Sequence, residues 1–319
     1  MSGFRAIVRK ELSDHFSSYR FIILFALIAM VSLVLVYLSG MEIQDRMAGS
    51  RKPEYLFLFL FSSSSINFSL VQFVAFFGPL IGLIIGFDSI NRERNEGTLS
   101  KLLSQPIFRD SVINGKFTAG VVIIAVMMVS IIMVITGLGL VVLGLKPGFE
   151  EFWRIIIYLV ISIVYISLWL GVAILFSIVF RSVTTSALAS IALWIFFSFF
   201  LSLGIGAIAR GIMASGAQSQ AEMMLKFSRL EKTLSFTSPM KLYTDATATI
   251  IDPLRKTTSS FAVQMGMMER LSMQRFSGPL PLAQSFLVVA PYIIFLIALT
   301  VICFAVSYII FMRQEIRSV

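Results

Sequence analysis

"INRERNEGTLSKLLSQPIFRDSVINGK", residues Ile90–Lys116, sets charged and turn-forming residues between two long apolar runs. Arg92, Glu93, Arg94 and Glu96 follow Asp88 closely, and then comes Gly97, a residue that can break or bend a helix. Thr98 is suited to cap a new helix at its N-terminus. Leu99, Leu102 and Leu103 recur at i, i+3 and i+4 before Pro106 ends the pattern. The spacing predicts a short amphipathic helix within residues 90–107, held between two apolar runs. Its chemistry leaves two roles open: a helix resting on lipid headgroups, or a handle gripped by something outside the membrane.

The runs on either side set the fold class. Of 319 residues, 57% are hydrophobic and only 13% charged, and the mean hydropathy is +0.91. Soluble domains carry about 25% charged residues, so the composition predicts an integral membrane protein. A hydrocarbon core about 30 Å thick needs about 20 apolar residues per helix. Six runs are long enough: Phe21–Ser39, Ile66–Phe87, Phe117–Leu145, Phe152–Phe180, Ser186–Ala209 and Phe286–Met312. The alternation of a membrane β-barrel is absent. The expected fold is an all-α polytopic membrane protein with six transmembrane helices.

Residues 1–20 precede the first run and include Glu11 and Asp14, so they do not read as a cleavable signal peptide but as part of a retained anchor. Phe4, Ile7, Val8, Leu12, Phe16 and Tyr19 fall near one helical face, which predicts an N-terminal helix lying on the membrane surface. The alternative is a helix end continuous with the first span. Residues 21–209 hold the first five spans, and 286–319 the sixth with a tail. In the second run Gly78, Gly82 and Gly86 make a repeated Gly-x-x-x-Gly stripe, a helix-packing surface that lets another backbone approach. Pro79 beside it is placed to bend the span.

The net charge of +9 needs no nucleic acid once its placement is considered. Twelve basic residues lie in the N-terminal segment, the second-to-third loop, the fourth-to-fifth turn and the tail, against five in the short loops opposite, Arg154 among them. The positive-inside rule therefore places both termini in the cytoplasm. Residues 210–285 are too polar to span, and six spans put them outside the cell as a helical cap over the last two spans. Met223, Phe227, Leu230 and Leu234 form one helical stripe there, Phe261, Met265 and Met268 another, with "SPMKLYTDATATIIDP" separating them.

Several activities are excluded by what is missing. There is no G-x-x-x-x-G-K-[ST] loop to cradle phosphates and no H-E-x-x-H or G-x-S-x-G. Cys303 and His15 are each the sole residue of their type, which leaves no metal-ligand set. The sixteen methionines read as flexible apolar filler, since no His or Cys accompanies them as copper ligands. Ionisable residues stand only at span edges, whereas ion-coupled carriers usually keep one at mid-membrane. If the chain moves a substrate, the energy arrives from another subunit.

The stretch Arg92–Lys116 also closely resembles the signature loop of ABC-2 type permeases, the membrane-spanning subunits of ABC exporters. The matching residues are Glu93, Gly97, Thr98, Leu99, Leu102, Leu103, Pro106, Ile107, Arg109, Gly115 and Lys116. "RKEL" at Arg9–Leu12, "SPMKLY" at Ser238–Tyr243 and "FMRQEIR" at Phe311–Arg317 are similar to further family segments. The resemblance implies a multi-pass subunit of a prokaryotic plasma membrane that pairs with a second permease copy (a homodimer) or a paralogue. It implies two cytosolic ABC ATPase subunits that bind ATP and Mg, with no cofactor and no catalysis in this chain. It makes the short helix a coupling helix, with Leu99, Leu102 and Leu103 buried against the ATPase. Glu93, Arg94, Glu96 and Arg109 would surround them, and Gly97 and Thr98 would form the joint. A competing reading is an ATPase-driven mechanotransmission subunit acting on an extracytoplasmic accessory protein without transport. A third is a stand-alone channel. Substrate identity is not legible: lipid, peptide, drug, glycan and sodium exporters all fit an uncharged path.

Overall fold

The computed structural model describes residues 2–48, 55–62, 69–105, 107–142, 144, 146–200, 204, 236–253 and 279–314. Those residues form helices and turns, with no strand among them. Helix α1 (Ser2–Phe16) leads into α2 (Tyr19–Ala48), followed by a 3-10 turn (Leu56–Leu58) and α3 (Phe59–Ser62). Then come α4 (Leu70–Gly86), α5 (Asn91–Asn95), α6 (Thr98–Leu103), α7 (Arg109–Val142) and α8 (Phe149–Val179). The fifth span is α9 (Val183–Ile195) running into a π-helical turn (Phe196–Phe200); α10 (Pro239–Ile251) and α11 (Leu282–Arg313) complete the described chain.

Among the described residues six helices are long and apolar enough to cross a membrane: Tyr19–Met41, Leu70–Asn95, Arg109–Val141, Phe149–Val179, Val183–Phe200 and Leu282–Arg313. The third begins eight residues earlier than its apolar run, because Arg109–Lys116 is already helical and carries the span out of the loop. Spans 2 and 4 are the centre of the bundle, with 67% and 61% of their apolar windows buried, while spans 1, 5 and 6 are at most 22% buried.

The glycine stripe explains that centre. A Cβ on Gly82 would lie 2.5 Å from the Ile166 carbonyl and 2.7 Å from the Leu170 nitrogen, and one on Gly86 would lie 2.7 Å from the Ala173 Cβ. Only hydrogen at these positions lets α4 and α8 touch backbone to backbone. Between them, Pro79 removes the N–H that would bond to the Ala75 carbonyl. The Tyr165 hydroxyl of α8 donates to that carbonyl at 2.7 Å, so the break in the ladder is satisfied from the neighbouring span.

Helix starts follow local chemistry. Ser69 and Gln72 make a reciprocal capping box at α4, and Gly148 donates its N–H to the Glu151 carboxylate at α8. Ser238 accepts from the Lys241 N–H with Pro239 opening α10.

Two expectations change here. The "SPMKLYTDATATIIDP" stretch is no separator: it contains α10, buried against spans 2, 4 and 6, with Leu242, Tyr243, Asp245, Ala246 and Thr247 inside. The Tyr243 ring stacks on Tyr165 at 4.4 Å and its hydroxyl meets Ser162 at 2.8 Å. Packing supplies what the poor helix propensity of its threonines lacks. The two flanking stripes of the 210–285 region lie outside the described residues.

Arg154, counted as a loop charge, is fully buried in the first turns of α8. It donates to the Glu150 carboxylate and to the carbonyls of Ile250 and Leu280 at 2.8 and 2.6 Å. Its guanidinium also stands 5.8 Å from the centre of the Tyr55 ring. Five fixed N–H donors can be shared among three segments at once, so this one side chain clasps α8, α10 and the entry to α11, with the Tyr55 ring before the 3-10 turn beside its guanidinium.

Candidate functional site

The segment from Phe87 to Phe108 is a bent arm on the side of the bundle opposite Arg154. Span 2 ends at a turn, and α5 starts where the Ser177 hydroxyl of α8 accepts from both the Ile90 and Asn91 N–H groups, at 2.9 and 3.1 Å. The buried Asn91 side chain donates to the Phe87 and Ser182 carbonyls, and Ser186 donates to Phe87 as well. The arm is thus sewn to the turn between spans 4 and 5.

Gly97 divides α5 from α6 at φ +68°, in the left-handed region, and a Cβ there would meet nothing within 4 Å. The requirement for glycine is conformational, not spatial. Gly97 therefore occupies the cap position expected of Thr98. Thr98 is the first helical residue, its hydroxyl donating back across the bend to the Glu93 carbonyl.

Leu99 does not stand on the open face, and the side chain of Leu103 lies outside the described residues. Leu99 is buried inside the chain and Leu102 is partly buried against the same core. Arg92, Asn95, Glu96, Gly97 and Thr98 are exposed, together with Ser104, Gln105 and Phe108. Phe108 is 81% exposed and was not singled out from the sequence, because it falls between the leucine pattern and the next apolar run.

The charged residues divide into three groups. Glu93 turns inward: its Oε1 lies 3.0 Å from both Lys10 and Lys116, and Lys116 also reaches Glu11 at 2.8 Å. Lys116 is almost entirely buried at 3% side-chain exposure, so its charge is tolerable only beside these two carboxylates. Arg94 donates to the Gln314 side chain at 2.6 Å and Arg109 to the Gln314 carbonyl at 3.3 Å, which binds both to the end of span 6. Gln314 in turn donates to Ile178 at the end of span 4. Arg92 pairs with Glu96 at 3.0 Å on the exposed face, and Arg20 of α2 with Asp88 at 2.8 Å. Lys10, Glu11, Ser177 and Gln314 were not assigned site roles in the sequence, since nothing local announces partners so far along the chain.

Helix α1 completes the arrangement by lying on the start of α7, where a Cβ on Gly115 would come within 2.8 Å of Ile7. Burial drags the Lys10 ammonium downward, but Glu93, Glu11 and Asp14 together outweigh it and raise its pKa. His15 is lowered, chiefly by burial with Lys116 adding to it, against the pull of Glu11 and Asp88.

Six spans and a bent arm bonded to α1 and to the ends of spans 3, 4, 5 and 6 define a polytopic helical membrane protein. The chain belongs to the ABC-2 transporter family: the family model described as "ABC-2 family transporter protein" matches residues 5–316. It is accordingly a permease subunit of an ABC transporter, an integral membrane protein that partners with ABC ATPase subunits. No curated protein matches the chain.

Proposed function

We propose that the chain is the permease half of an ABC exporter, in which a dimer of permeases carries two ATPase subunits against the α5–α6 arms. The observation that carries this reading is the arm itself: an exposed face of Arg92, Glu96, Gly97, Thr98 and Phe108 backed by bonds into four spans. A push on that face is passed to α8 through Ser177, to α11 through Gln314 and to α7 through Lys116. ATP and Mg belong to the ATPase, and this chain converts its closure into a movement of spans. Both termini face the cytoplasm of a prokaryotic cell, and residues 210–285 face outward. Leu102 and Leu103 remain on the arm as part of the contact, while Leu99 holds the arm to its own bundle.

Co-purification of the ATPase with variants of the full-length chain tests this, paired with ATPase assays in vesicles. Gly97→Ala should retain the ATPase while slowing substrate-stimulated turnover, because the bend is strained without being blocked. Unchanged binding and turnover when Arg92, Glu96 and Phe108 are all replaced by serine would remove the arm from the contact.

A second reading is favoured by α10. That helix lies in the middle of the 210–285 region and is buried against spans 2, 4 and 6. Movement of those spans would be delivered directly to that region, as a mechanotransmission subunit acting on an extracytoplasmic protein requires. ATPase stimulation by a protein partner alone, with no transported substrate, would select this reading over export.

A further inference from the structure

Between α1, α2 and the arm lies a cavity of about 600 Å³, within the usual size of small-ligand sites. Its walls divide by chemistry. One side is apolar and belongs to the spans, with Phe21 and Leu24 from α2 facing Ile84 and Ile85 from α4. The other side is charged, with five carboxylates and four Lys or Arg groups. A small polar ligand would not ask for the first wall, nor a hydrocarbon for the second.

The charged wall is not fully engaged internally. Arg20 uses one terminal nitrogen on Asp88, and Arg92 uses its Nε on Glu96 with one terminal nitrogen 4.0 Å from Asp88; both side chains are about 60% exposed. Each guanidinium therefore keeps donors in the fork geometry that suits a phosphate. Asp14, exposed on the same wall, makes no ion pair among the described residues. Its carboxylate is an acceptor suited to an N–H donor. The two sets stand in one cavity, so the matching ligand carries a phosphate and a hydrogen-bonding cation together.

Its depth is marked by the neighbouring helix. Tyr19 is 81% exposed and Phe16 39% exposed at the α1–α2 corner, where amphipathic aromatics mark a membrane–water interface. The apolar wall then continues along α2 and α4 in the direction an acyl chain would take.

We propose that this cavity seats the headgroup of an aminophospholipid, a phosphate joined to a primary ammonium, from the leaflet on the arm side. An anionic headgroup without an ammonium is disfavoured by the surplus carboxylate. A trimethylated ammonium donates no hydrogen bond and would leave Asp14 without one. Bound there, the lipid would bridge α1, α2 and the arm, placing a bilayer component within the linkage that moves.

The test is native mass spectrometry of the delipidated full-length protein offered equal amounts of phosphatidylethanolamine, phosphatidylcholine and phosphatidylglycerol. Phosphatidylethanolamine should be retained about tenfold over the other two, the ratio expected from charge-assisted hydrogen bonds at one group. Asp14→Asn and Arg92→Gln, both at solvent-accessible positions, should each cut that preference while leaving thermal stability unchanged. Soluble phosphoethanolamine, added in excess, should fail to displace the lipid. If it binds as tightly on its own and is lost in the same variants, the cavity takes a free zwitterion and the lipid assignment falls. Equal retention of all three lipids, or a preference indifferent to Asp14 and Arg92, overturns the site altogether.

Discussion

At the scale of single residues, exposure separates two hydrophobic side chains that sit close together on the arm. Leu99 is 1% exposed and Phe108 81%. Leu99→Ala should cost the folded chain about 2–5 kcal/mol, as deletions of buried leucine do, and show as a lowered melting temperature. Phe108→Ala should leave melting unchanged and weaken ATPase retention about tenfold, since exposed aromatics are frequent binding anchors. Retention unaffected by Phe108→Ala, with the leucine result as stated, would remove Phe108 from the contact. His15 supplies a pH test. Its folded pKa lies below the unfolded value near 6.5, so the unfolded chain binds the proton more readily. Stability is therefore full above pH of about 6.5 and falls as the pH drops below it. Melting curves from pH 8 to 5 should show an acid-side decline that His15→Gln flattens; equal declines in both proteins would exclude His15 as the cause.

At the scale of elements, the glycine stripe of α4 was legible in the sequence as a surface for another helix, because three glycines four apart suit close backbone approach, while its partner α8 was not. The same spacing predicts how replacements rank. Gly82→Ala places a methyl group against backbone atoms of Ile166 and Leu170, which cannot move aside without parting the helices. Gly78→Ala meets side-chain atoms alone, of Ile166 from 3.2 Å and of Val74 at 3.5 Å. Gly82→Ala should therefore abolish a monodisperse elution profile in detergent, whereas Gly78→Ala should keep it. The reverse order would mean that the two spans are held by something other than this stripe. Helix α10 was illegible for the opposite reason. Its threonines and short length argue against a helix in isolation, and only burial between spans makes it one. The ties from α1 to this charge cluster were hidden by distance: Lys10 is 83 residues from Glu93, and Glu11 and Lys116 are separated by 105. Charge spacing along a single helix cannot anticipate such pairs.

At the scale of the whole molecule, six spans follow from hydropathy alone, yet hydropathy says nothing of which spans are central. Spans 1 and 6 are among the most apolar and spans 2 and 4 less so, in keeping with a packed interface that admits glycine, serine and tyrosine; span 5, the least apolar of the six and also only 22% buried, does not follow that order. The basic-residue asymmetry makes one further prediction about orientation. In a Cys303→Ser background, a cysteine at Ser235 should react with an impermeant reagent in intact cells, and one at Ser104 only after permeabilisation. The opposite pattern would invert the molecule and move the arm away from any cytosolic ATPase.

The clasp around Arg154 has a consequence in time. Its carbonyl partners at Ile250 and Leu280 are 96 and 126 residues further along the chain. At about 5–20 residues per second, roughly 6–25 s pass between synthesis of the arginine and of its last carbonyl partner. Through that interval span 4 has entered the bilayer with a cation at its end that only Glu150 and water can neutralise. The nascent protein is thus held unfinished until the start of its sixth span emerges, when the clasp closes and α8, α10 and α11 lock together. Ribosomes stalled before Leu280 would therefore release chains bearing an unsatisfied arginine, and pulse-chase should find them degraded faster than chains that reach Gln314. The same arginine that secures the finished bundle makes every incomplete copy recognisable.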